Sequence, residues 1–425
     1  MKIEPLSFSS PTAKPFPGFH VITKPIGPLC NLDCHYCFYL EKERLYPKTS
    51  KWAMSPEMLE EYIRQYIAGQ DVPQVSFTWQ GGEPTLLGVD FFRRAVELQK
   101  KHAYGKQIEN SFQTNAVLID DAWAEFLARE RFLVGVSIDG PQHLHDHYRL
   151  YKGGRGSFND TLAGLQRLQA RGVEYNTLTV VNRKNSYHAL EVYNFLKEIG
   201  SRYMQFLPVV ERQAAQPTAD GLSLVSPSFS AEAAVTEWSV EAEQYGRFLC
   251  EVFDEWVQHD VAKYYVQLFD VTLENWLGIT PALCVFRETC GSALAIEHNG
   301  DLYSCDHFVY PEHRLGNILE RPMEWLVNSQ QQVAFGNAKR DTLPEYCRKC
   351  EVRFACQGEC PKHRFINTPD GEPGLNYLCA GYKMFFNHVR PAMDHMSTEL
   401  RARRPATSVM NFARERKLAG ELGAR

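Results

Sequence analysis

Residues 28–40 read PLCNLDCHYCFYL, a short stretch that holds three cysteines: Cys30, Cys34 and Cys37. A loop with this spacing can direct three thiolates toward one point, and soft thiolate ligands select zinc, copper(I) or iron–sulfur clusters. A structural zinc site needs a fourth protein ligand, yet the next cysteine in the chain is Cys250. A four-iron cluster held by three thiolates keeps one iron open for another ligand. The alternative is a loop of buried, reduced thiols that bind no metal.

The bulk composition is that of a globular protein with two or three domains. The chain has 425 residues, of which 44% are hydrophobic and 23% charged, and this length exceeds that of one typical domain. The net charge of -5 argues against a scaffold that binds nucleic acid by bulk electrostatics. Residues 1–24 contain several prolines and no apolar signal segment, and no apolar run could span a bilayer. We therefore expect a cytoplasmic protein with no nucleic-acid or membrane partner.

Predicted strands and helices alternate through the first half of the chain. The hydrophobic pattern predicts strands at residues 20–26, 74–79, 108–113, 132–138, 174–181 and 203–210. This alternation implies a parallel sheet with right-handed crossovers. Polar residues gather just after the strand ends, where parallel α/β barrels place their sites. Six repeats are too few to close an eight-stranded barrel, so we expect a partial, open-sided (β/α)6 barrel that could admit a peptide or protein.

The composition changes near residue 282, and eight cysteines follow in a loop-rich segment. Small loop-rich domains usually need metal to fold. Eight thiols equal the ligand number of two four-iron clusters, but the spacing of the cysteines at 347, 350, 356 and 360 is also that of a zinc ribbon. The residues alone leave both readings open. The eight are Cys284, Cys290, Cys305, Cys347, Cys350, Cys356, Cys360 and Cys379.

The loop at residues 28–40, called the cysteine loop below, resembles that of the radical S-adenosylmethionine (SAM) family. That family has Cys-x3-Cys-x-aromatic-Cys, and Tyr36 fills the aromatic position. The sequence Gly81-Gly82-Glu83-Pro84, the GGEP motif, matches a second family motif, although two glycines after a strand often serve only the turn. The resemblance implies that the backbone of this motif holds the amino group of SAM.

The same resemblance implies further contacts to SAM. Ser137 would face the ribose or carboxylate, and Arg149 would pair with the carboxylate through a charge-assisted hydrogen bond. Val210 and Tyr36 would lie near the adenine, with an ordinary core position as the alternative for Val210.

The eight later cysteines resemble the SPASM domain of peptide-modifying radical enzymes. The resemblance implies two four-iron clusters in this segment and three in the chain. It assigns to the cluster nearer the active site Cys284, Cys290, Cys305 and Cys360, and to the outer cluster Cys347, Cys350, Cys356 and Cys379.

Motifs in consistent order from about His20 to about Pro391 resemble those of anaerobic sulfatase-maturating enzymes. They include Phe38-Tyr39, the stretches 80–86, 113–115 and 137–141, Cys305-Asp306, and the stretch 314–318. The resemblance implies radical oxidation of a cysteine or serine of a sulfatase to Cα-formylglycine, with an external electron donor such as flavodoxin or ferredoxin. It makes Asp306 the general base and makes Tyr39 and Gln80 candidates for two residues near the substrate. From the residues alone, a turn-forming aspartate is the alternative for Asp306.

These resemblances divide the chain into a radical SAM barrel at 1–230, a helical connector at 231–283, a SPASM domain at 284–390 and a C-terminal tail at 391–425. Residues 401–425, rich in arginine and alanine, are expected to be a solvated helix or a frayed end. The alternative enzyme is another SPASM maturase that forms thioether or carbon–carbon crosslinks in a precursor peptide. Such enzymes often carry an N-terminal leader-binding domain, for which residues 1–19 are too short. A non-enzymatic electron carrier or zinc-stabilised binding module would leave the GGEP motif, Ser137 and Arg149 without a purpose.

Overall fold

A computed structural model describes residue 16 and residues 18–47 and 51–418 of the chain. Its strands, numbered in chain order, are β1 (His20–Lys24), β2 (Gln74–Trp79), β3 (Gln107–Thr114), β4 (Leu133–Ser137), β5 (Tyr175–Val181), β6 (Tyr203–Pro208), β7 (Arg212–Gln213), β8 (Ala234–Val235), β9 (Tyr265–Val266), β10 (Ala293–Glu297), β11 (Asp301–Tyr303), β12 (Arg314–Asn317), β13 (Ile366–Asn367) and β14 (Pro373–Leu375).

The α-helices lie mostly between these strands. They are α1 (Pro56–Ala68), α2 (Val89–Lys101), α3 (Asp121–Arg129), α4 (Gln142–Tyr148), α5 (Phe158–Ala170), α6 (Ala189–Glu198), α7 (Ala242–His259), α8 (Gln267–Leu277), α9 (Met323–Val327), α10 (Gln330–Asp341), α11 (Glu345–Arg348), α12 (Arg353–Cys356), α13 (Cys379–Arg401) and α14 (Val409–Leu418).

One sheet of ten strands organises the fold, in the order β12-β11-β10-β1-β2-β3-β4-β5-β6-β9. Strands β1 to β6 are parallel and adjacent in chain order, as the alternating pattern predicts. The edge strands β12 and β9 are not paired with each other within the described residues. The six predicted repeats therefore form an open sheet and not a closed barrel.

The cysteine-rich segment contributes three strands, β10 to β12, and the sequence did not predict that they join this sheet. Strand β10 runs parallel to β1 in a register that pairs His20 with Ala293 and Lys24 with Glu297. Strands β11 and β12 continue antiparallel from β10. The sheet thus crosses the predicted domain boundary at residue 284, and that boundary remains a prediction.

Helix α1 shows how local sequence sets the outer layer. The side chain of Ser55 caps the helix by accepting a hydrogen bond from the Met58 backbone at 3.2 Å, and Pro56 occupies the first turn. The helix buries the stripe Met58, Leu59, Tyr62, Ile63, Tyr66 and Ile67, which has the spacing of one helical face.

The C-terminal part of the chain is packed, and the expectation of a solvated tail is wrong for the described residues. The predicted tail boundary at residue 391 falls inside α13, which runs to Arg401. Helix α14 follows, and its Val409 and Ala413 are fully buried in the same core as α7. Arg414 of this helix donates a hydrogen bond to the Gln258 carbonyl of α7 at 3.3 Å, and the apolar residues beside it cover the core.

Residues 419–425 lie outside the described residues. The same holds for most of residues 1–19, including the prolines behind the prediction that no signal segment is present. None of the helices in the described ranges is both long enough and apolar enough to cross a membrane.

Candidate active site

The cysteine loop follows β1 and borders a cavity of about 270 Å³, called the upper cavity below. Cys30, Cys34 and Cys37 all line it, as the spacing predicts. Backbone hydrogen bonds from Asp33 to Leu150 (2.7 Å) and from His35 to Tyr148 (3.1 Å) hold the loop against the chain after α4. Other lining residues lie at or just beyond the carboxyl ends of β1 to β6.

The three cysteine thiols of the loop suit a metal cluster with a positively charged core. Burial raises the pKa of Cys30 to about 12, and burial likewise raises the pKa of Cys34 and Cys37. Thiolates are the ligand form, so a positively charged metal group is needed to stabilise three of them in this setting. The three thiols would hold a four-iron cluster with one iron free for SAM.

The GGEP motif packs against the start of the cysteine loop. Gly81 has φ 141°, a conformation that favours glycine. A Cβ atom on Gly82 would lie 1.8 Å from the Leu29 carbonyl oxygen, so any larger residue clashes there. The backbone N–H groups of Gly82 and Glu83 donate to the carbonyls of Gly27 and Leu29, each at 2.8 Å. The two glycines are therefore required by the close approach of two loops that border the same cavity.

The Glu83 carboxylate fixes the motif to the end of β3. One oxygen accepts hydrogen bonds from Thr85 and from the Thr114 hydroxyl (2.8 Å), and the other from the Asn115 backbone (2.8 Å). The Asn115 side chain in turn donates to Asn31 in the cysteine loop at 2.8 Å. Glu83 therefore shapes the cavity wall through its side chain, and Asn115 is a wall residue to which sequence analysis gave no role.

A buried network around Asp139 orients two of the predicted SAM contacts. The Tyr36 hydroxyl donates to Asp139 Oδ2, and Arg149 Nε donates to the same oxygen at 3.0 Å. The Val180 backbone donates to Asp139 Oδ1 at 3.0 Å. Asp139 is fully buried and Arg149 is 6% exposed, so this pair is shielded from solvent. The motif at 137–141 contains Asp139, but the sequence did not distinguish this residue from an ordinary aspartate in a turn.

Ser137 lines the upper cavity as expected, and its hydroxyl accepts a hydrogen bond from Gln113 at 2.9 Å. Val210 does not line this cavity. It is buried in the core that contains α7, whereas the preceding residue, Val209, lies on the cavity and packs with Tyr36. Val210 is therefore not at the predicted site, and Val209 faces the cavity instead, because successive residues of an extended chain point to opposite sides.

Asp306 lies in the wall of the upper cavity beside Lys24 and Tyr39. Its Oδ1 atom is 2.5 Å from Lys24 Nζ, and the Lys24 ammonium is 4.4 Å from the centroid of the Tyr39 ring. Burial opposes ionisation of Asp306, but Lys24 and other nearby positive charges outweigh it and hold the pKa below its usual value. Asp306 is therefore a carboxylate at neutral pH, the form that can accept a proton.

Tyr39 is 3% exposed, and its hydroxyl donates to Glu297 Oε1. Burial raises the pKa of Tyr39 well above its usual value, and the adjacent Glu297 carboxylate adds to the effect. The phenol therefore stays protonated and already has an acceptor. Asp306 is therefore better suited than Tyr39 to act as a base in this wall, because it is ionised and the Tyr39 hydroxyl keeps its proton.

A second cavity of about 500 Å³, the lower cavity, lies along the strands below the first. Inward-facing residues of the central strands line it, among them Thr78, Ser111, Asn176 and Gln205. Six residues line both cavities and form a shared ring: Gln80, Gln113, Leu178, Leu207, Asp306 and His307. Two of the three predicted catalytic residues, Asp306 and Gln80, thus lie where the cavities meet.

The eight later cysteines fall into two spatial groups. The lower cavity is lined by Cys284, Cys290, Cys305 and Cys360. A third, smaller cavity is lined by Cys347, Cys350, Cys356 and Cys379. Each group offers four thiols to one space, which suits a four-iron cluster with no open iron. All twelve cysteines are free thiols, and Cys250 lies in the apolar core.

Three residues of this site gave little signal in the sequence: Lys24, Asp139 and Glu297. Lys24 ends a buried strand, and Glu297 ends the strand beside it. A charged residue at the end of an apolar run is usually read as the point where a strand reaches solvent. Only the pairing of β1 with β10 shows that both side chains are buried.

Comparisons with known proteins agree with this geometry. A family model described as the Radical SAM superfamily matches residues 25–196, and one described as an iron–sulfur cluster-binding domain matches residues 284–351. The chain is 48% identical to a serine-type anaerobic sulfatase-maturating enzyme of Bacteroides thetaiotaomicron, over 96% of this chain and 98% of that one. It is 31% identical to a cysteine-type enzyme of Clostridium perfringens, over 91% and 100%. A solved structure described as native anSMEcpe with bound AdoMet and Cp18Cys peptide aligns with a TM-score of 0.78 and 31% identity, over 90% and 99%.

Proposed function

The chain belongs to the anaerobic sulfatase-maturating enzymes of the radical SAM superfamily, which convert a serine or cysteine of a sulfatase to formylglycine, and we propose which of its residues perform this oxidation. The cysteine loop would hold a cluster and SAM, which together would supply the radical chemistry that removes a hydrogen atom from the target Cβ. The GGEP backbone would hold the amino group of SAM, and Ser137 and Arg149 would bind its ribose and carboxylate. Val209 and Tyr36 would lie near the adenine.

Asp306 takes the proton of the target hydroxyl or thiol. Loss of this proton together with one electron turns the carbon-centred radical into a C=O or C=S double bond, which balances the two-electron oxidation. With a cysteine target, water then hydrolyses the C=S product to the aldehyde and hydrogen sulfide leaves. The group held by Cys284, Cys290, Cys305 and Cys360 would supply the electron acceptor.

The observation that carries this assignment is the position of Asp306 on the shared ring. The ring separates a cavity lined by the cysteine loop from one lined by four further cysteines. A target side chain on the ring would therefore meet the radical source on one side and an electron acceptor on the other. Gln80, on the same ring, is placed to hydrogen-bond the target residue, whereas Tyr39 supports the wall through Glu297.

We further propose a serine target, because identity is 48% to a serine-type relative and 31% to a cysteine-type one. An external one-electron donor such as flavodoxin or ferredoxin would reduce the cluster on the cysteine loop. We assign the enzyme to the cytoplasm, since free thiols in such number persist in a reducing compartment.

The test uses anaerobically reconstituted enzyme, SAM, a chemical reductant and two sulfatase-motif peptides that differ only in serine or cysteine at the target. Mass spectrometry after trapping with an aldehyde reagent should show formylglycine from the serine peptide. Loss of two hydrogens without a trappable aldehyde would indicate crosslinking and contradict the proposal. Faster conversion of the cysteine peptide would contradict the serine assignment alone.

A further inference from the structure

Lys24 is a buried cation whose position at the active site needs explanation. It is 1% exposed, and its ammonium contacts Asp306 on one side and the Tyr39 ring on the other. A buried ammonium is costly unless it is paired, and here Asp306 supplies the opposite charge.

Two buried carboxylates lie close to Lys24, and they have different partners. Glu297 pairs with Lys24 in the β1–β10 register and is fully buried. The Tyr39 hydroxyl donates to Glu297, whereas the ammonium pairs with Asp306, which is the one carboxylate within 4.0 Å of Lys24 Nζ in the described part of the chain. The charge of Lys24 is thus directed to the residue that faces both cavities.

The contact between Lys24 and Asp306 determines which carboxylate oxygen of Asp306 can reach a substrate. Lys24 binds Oδ1, so Oδ2 is the oxygen that remains for a substrate proton. A carboxylate on a short, otherwise rotatable side chain needs such an anchor to keep one oxygen directed at a reacting group. The anchor also links residue 24 on the first strand to residue 306 in the cysteine-rich segment.

We propose that Lys24 is a positioning residue that holds the Asp306 carboxylate in the orientation required to take the proton of the target residue. This inference rests on the proposed role of Asp306. It concerns the use of the radical, so loss of Lys24 should lower the yield of formylglycine per 5′-deoxyadenosine formed. A purely structural lysine would instead change both products together.

The experiment compares wild type, Lys24→Met, Lys24→Arg, Asp306→Asn and the Lys24→Met/Asp306→Asn double variant. Each is reconstituted anaerobically, and the ratio of formylglycine to 5′-deoxyadenosine is measured with the serine peptide. Lys24→Met should lower this ratio about tenfold or more. Lys24→Arg keeps a cation that can bind Oδ1 and should recover most of the loss. The double variant should match Asp306→Asn within about twofold, because residues that act as one unit are not additive.

Lys106→Met is the matched control. Lys106 is partly buried and donates to the backbone carbonyls of Ile67 and Gln70, away from both cavities. Its removal should leave the product ratio at the wild-type value. Iron content is measured for every variant, and if Lys24→Met does not load its clusters, Lys24→Gln replaces it with the same expected fall.

Two results would overturn the inference. One is a wild-type ratio in the loaded Lys24→Met or Lys24→Gln enzyme. The other is a further large fall when Lys24→Met is added to Asp306→Asn, which would mean that Lys24 acts on something other than Asp306. Failure of the proposed function is a separate outcome, because wild type itself would then make no formylglycine.

Discussion

Replacement of Asp306 by asparagine should separate formation of the radical from its use. Asparagine keeps the size of the side chain but cannot take a proton at neutral pH. The residues assigned to SAM lie on other elements, so 5′-deoxyadenosine should still form. Loss of a general base costs about 10²–10⁴-fold in rate. We therefore expect formylglycine formation to fall by at least about 10²-fold, or about 3 kcal/mol of transition-state stabilisation.

The assay follows both products in one anaerobic reaction. Formylglycine peptide and 5′-deoxyadenosine are quantified by mass spectrometry over a time course, with iron content as the measure of cluster loading. Wild type should give a constant ratio of the two products. The Asp306→Asn enzyme should accumulate 5′-deoxyadenosine with little aldehyde.

The reasoning is refuted if the loaded Asp306→Asn enzyme gives both products in the wild-type ratio. Asp306 would then be a wall residue paired with Lys24, and the base would have to be sought elsewhere on the shared ring. Equal loss of both products would show instead that Asp306 is needed for SAM binding.

Three other predictions concern the clusters, the motif and the fold. Reconstituted enzyme should contain about twelve irons, four in each of three clusters. Alanine at all three cysteine positions of the cysteine loop should remove about four of these irons and abolish SAM cleavage. An iron content near four per chain, together with stoichiometric zinc, would contradict this count. Gly82→Ala should abolish SAM binding, measured by equilibrium dialysis, because the added Cβ would lie 1.8 Å from the Leu29 carbonyl oxygen. Gly153→Ala is the control, because Gly153 has open space around it. Unchanged SAM affinity in Gly82→Ala would refute the steric argument. Ala413→Asp should lower the free energy of unfolding by about 3 kcal/mol through an unpaired buried charge, seen as a lower Tm, whereas an unchanged Tm would mean that α14 is detached in solution.

Much of this protein could be predicted from residues close together in the chain. The cysteine spacing at 30–37 predicts a cluster loop, and the two glycines at 81–82 predict a tight turn after a strand. The alternation of apolar runs predicts six parallel strands, which the sheet order confirms. These features depend on the steric limits of a few neighbouring residues and on the periodicity of helices and strands. Both can be recognised within one short segment of the sequence.

Other features depend on which segments lie side by side, and for these the sequence gave no prediction or a wrong one. Val209 lines the upper cavity and Val210 does not, because a shift of one residue reverses the side on which an extended chain presents its side chain. The tail predicted to be solvated contains α14. Its apolar residues are buried only because they pack in the same core as α7.

The sequence by itself determined the class of chemistry, through thiols and glycines whose spacing suits one kind of site. Only the tertiary structure decided how the base is held, since Lys24 and Asp306 meet only when β10 pairs with β1, and the two residues are separated by about two-thirds of the chain. A buried charge must find its partner in three dimensions, because water is excluded and a lone charge there is unstable. The register of two distant strands supplies that partner, and no local pattern encodes it.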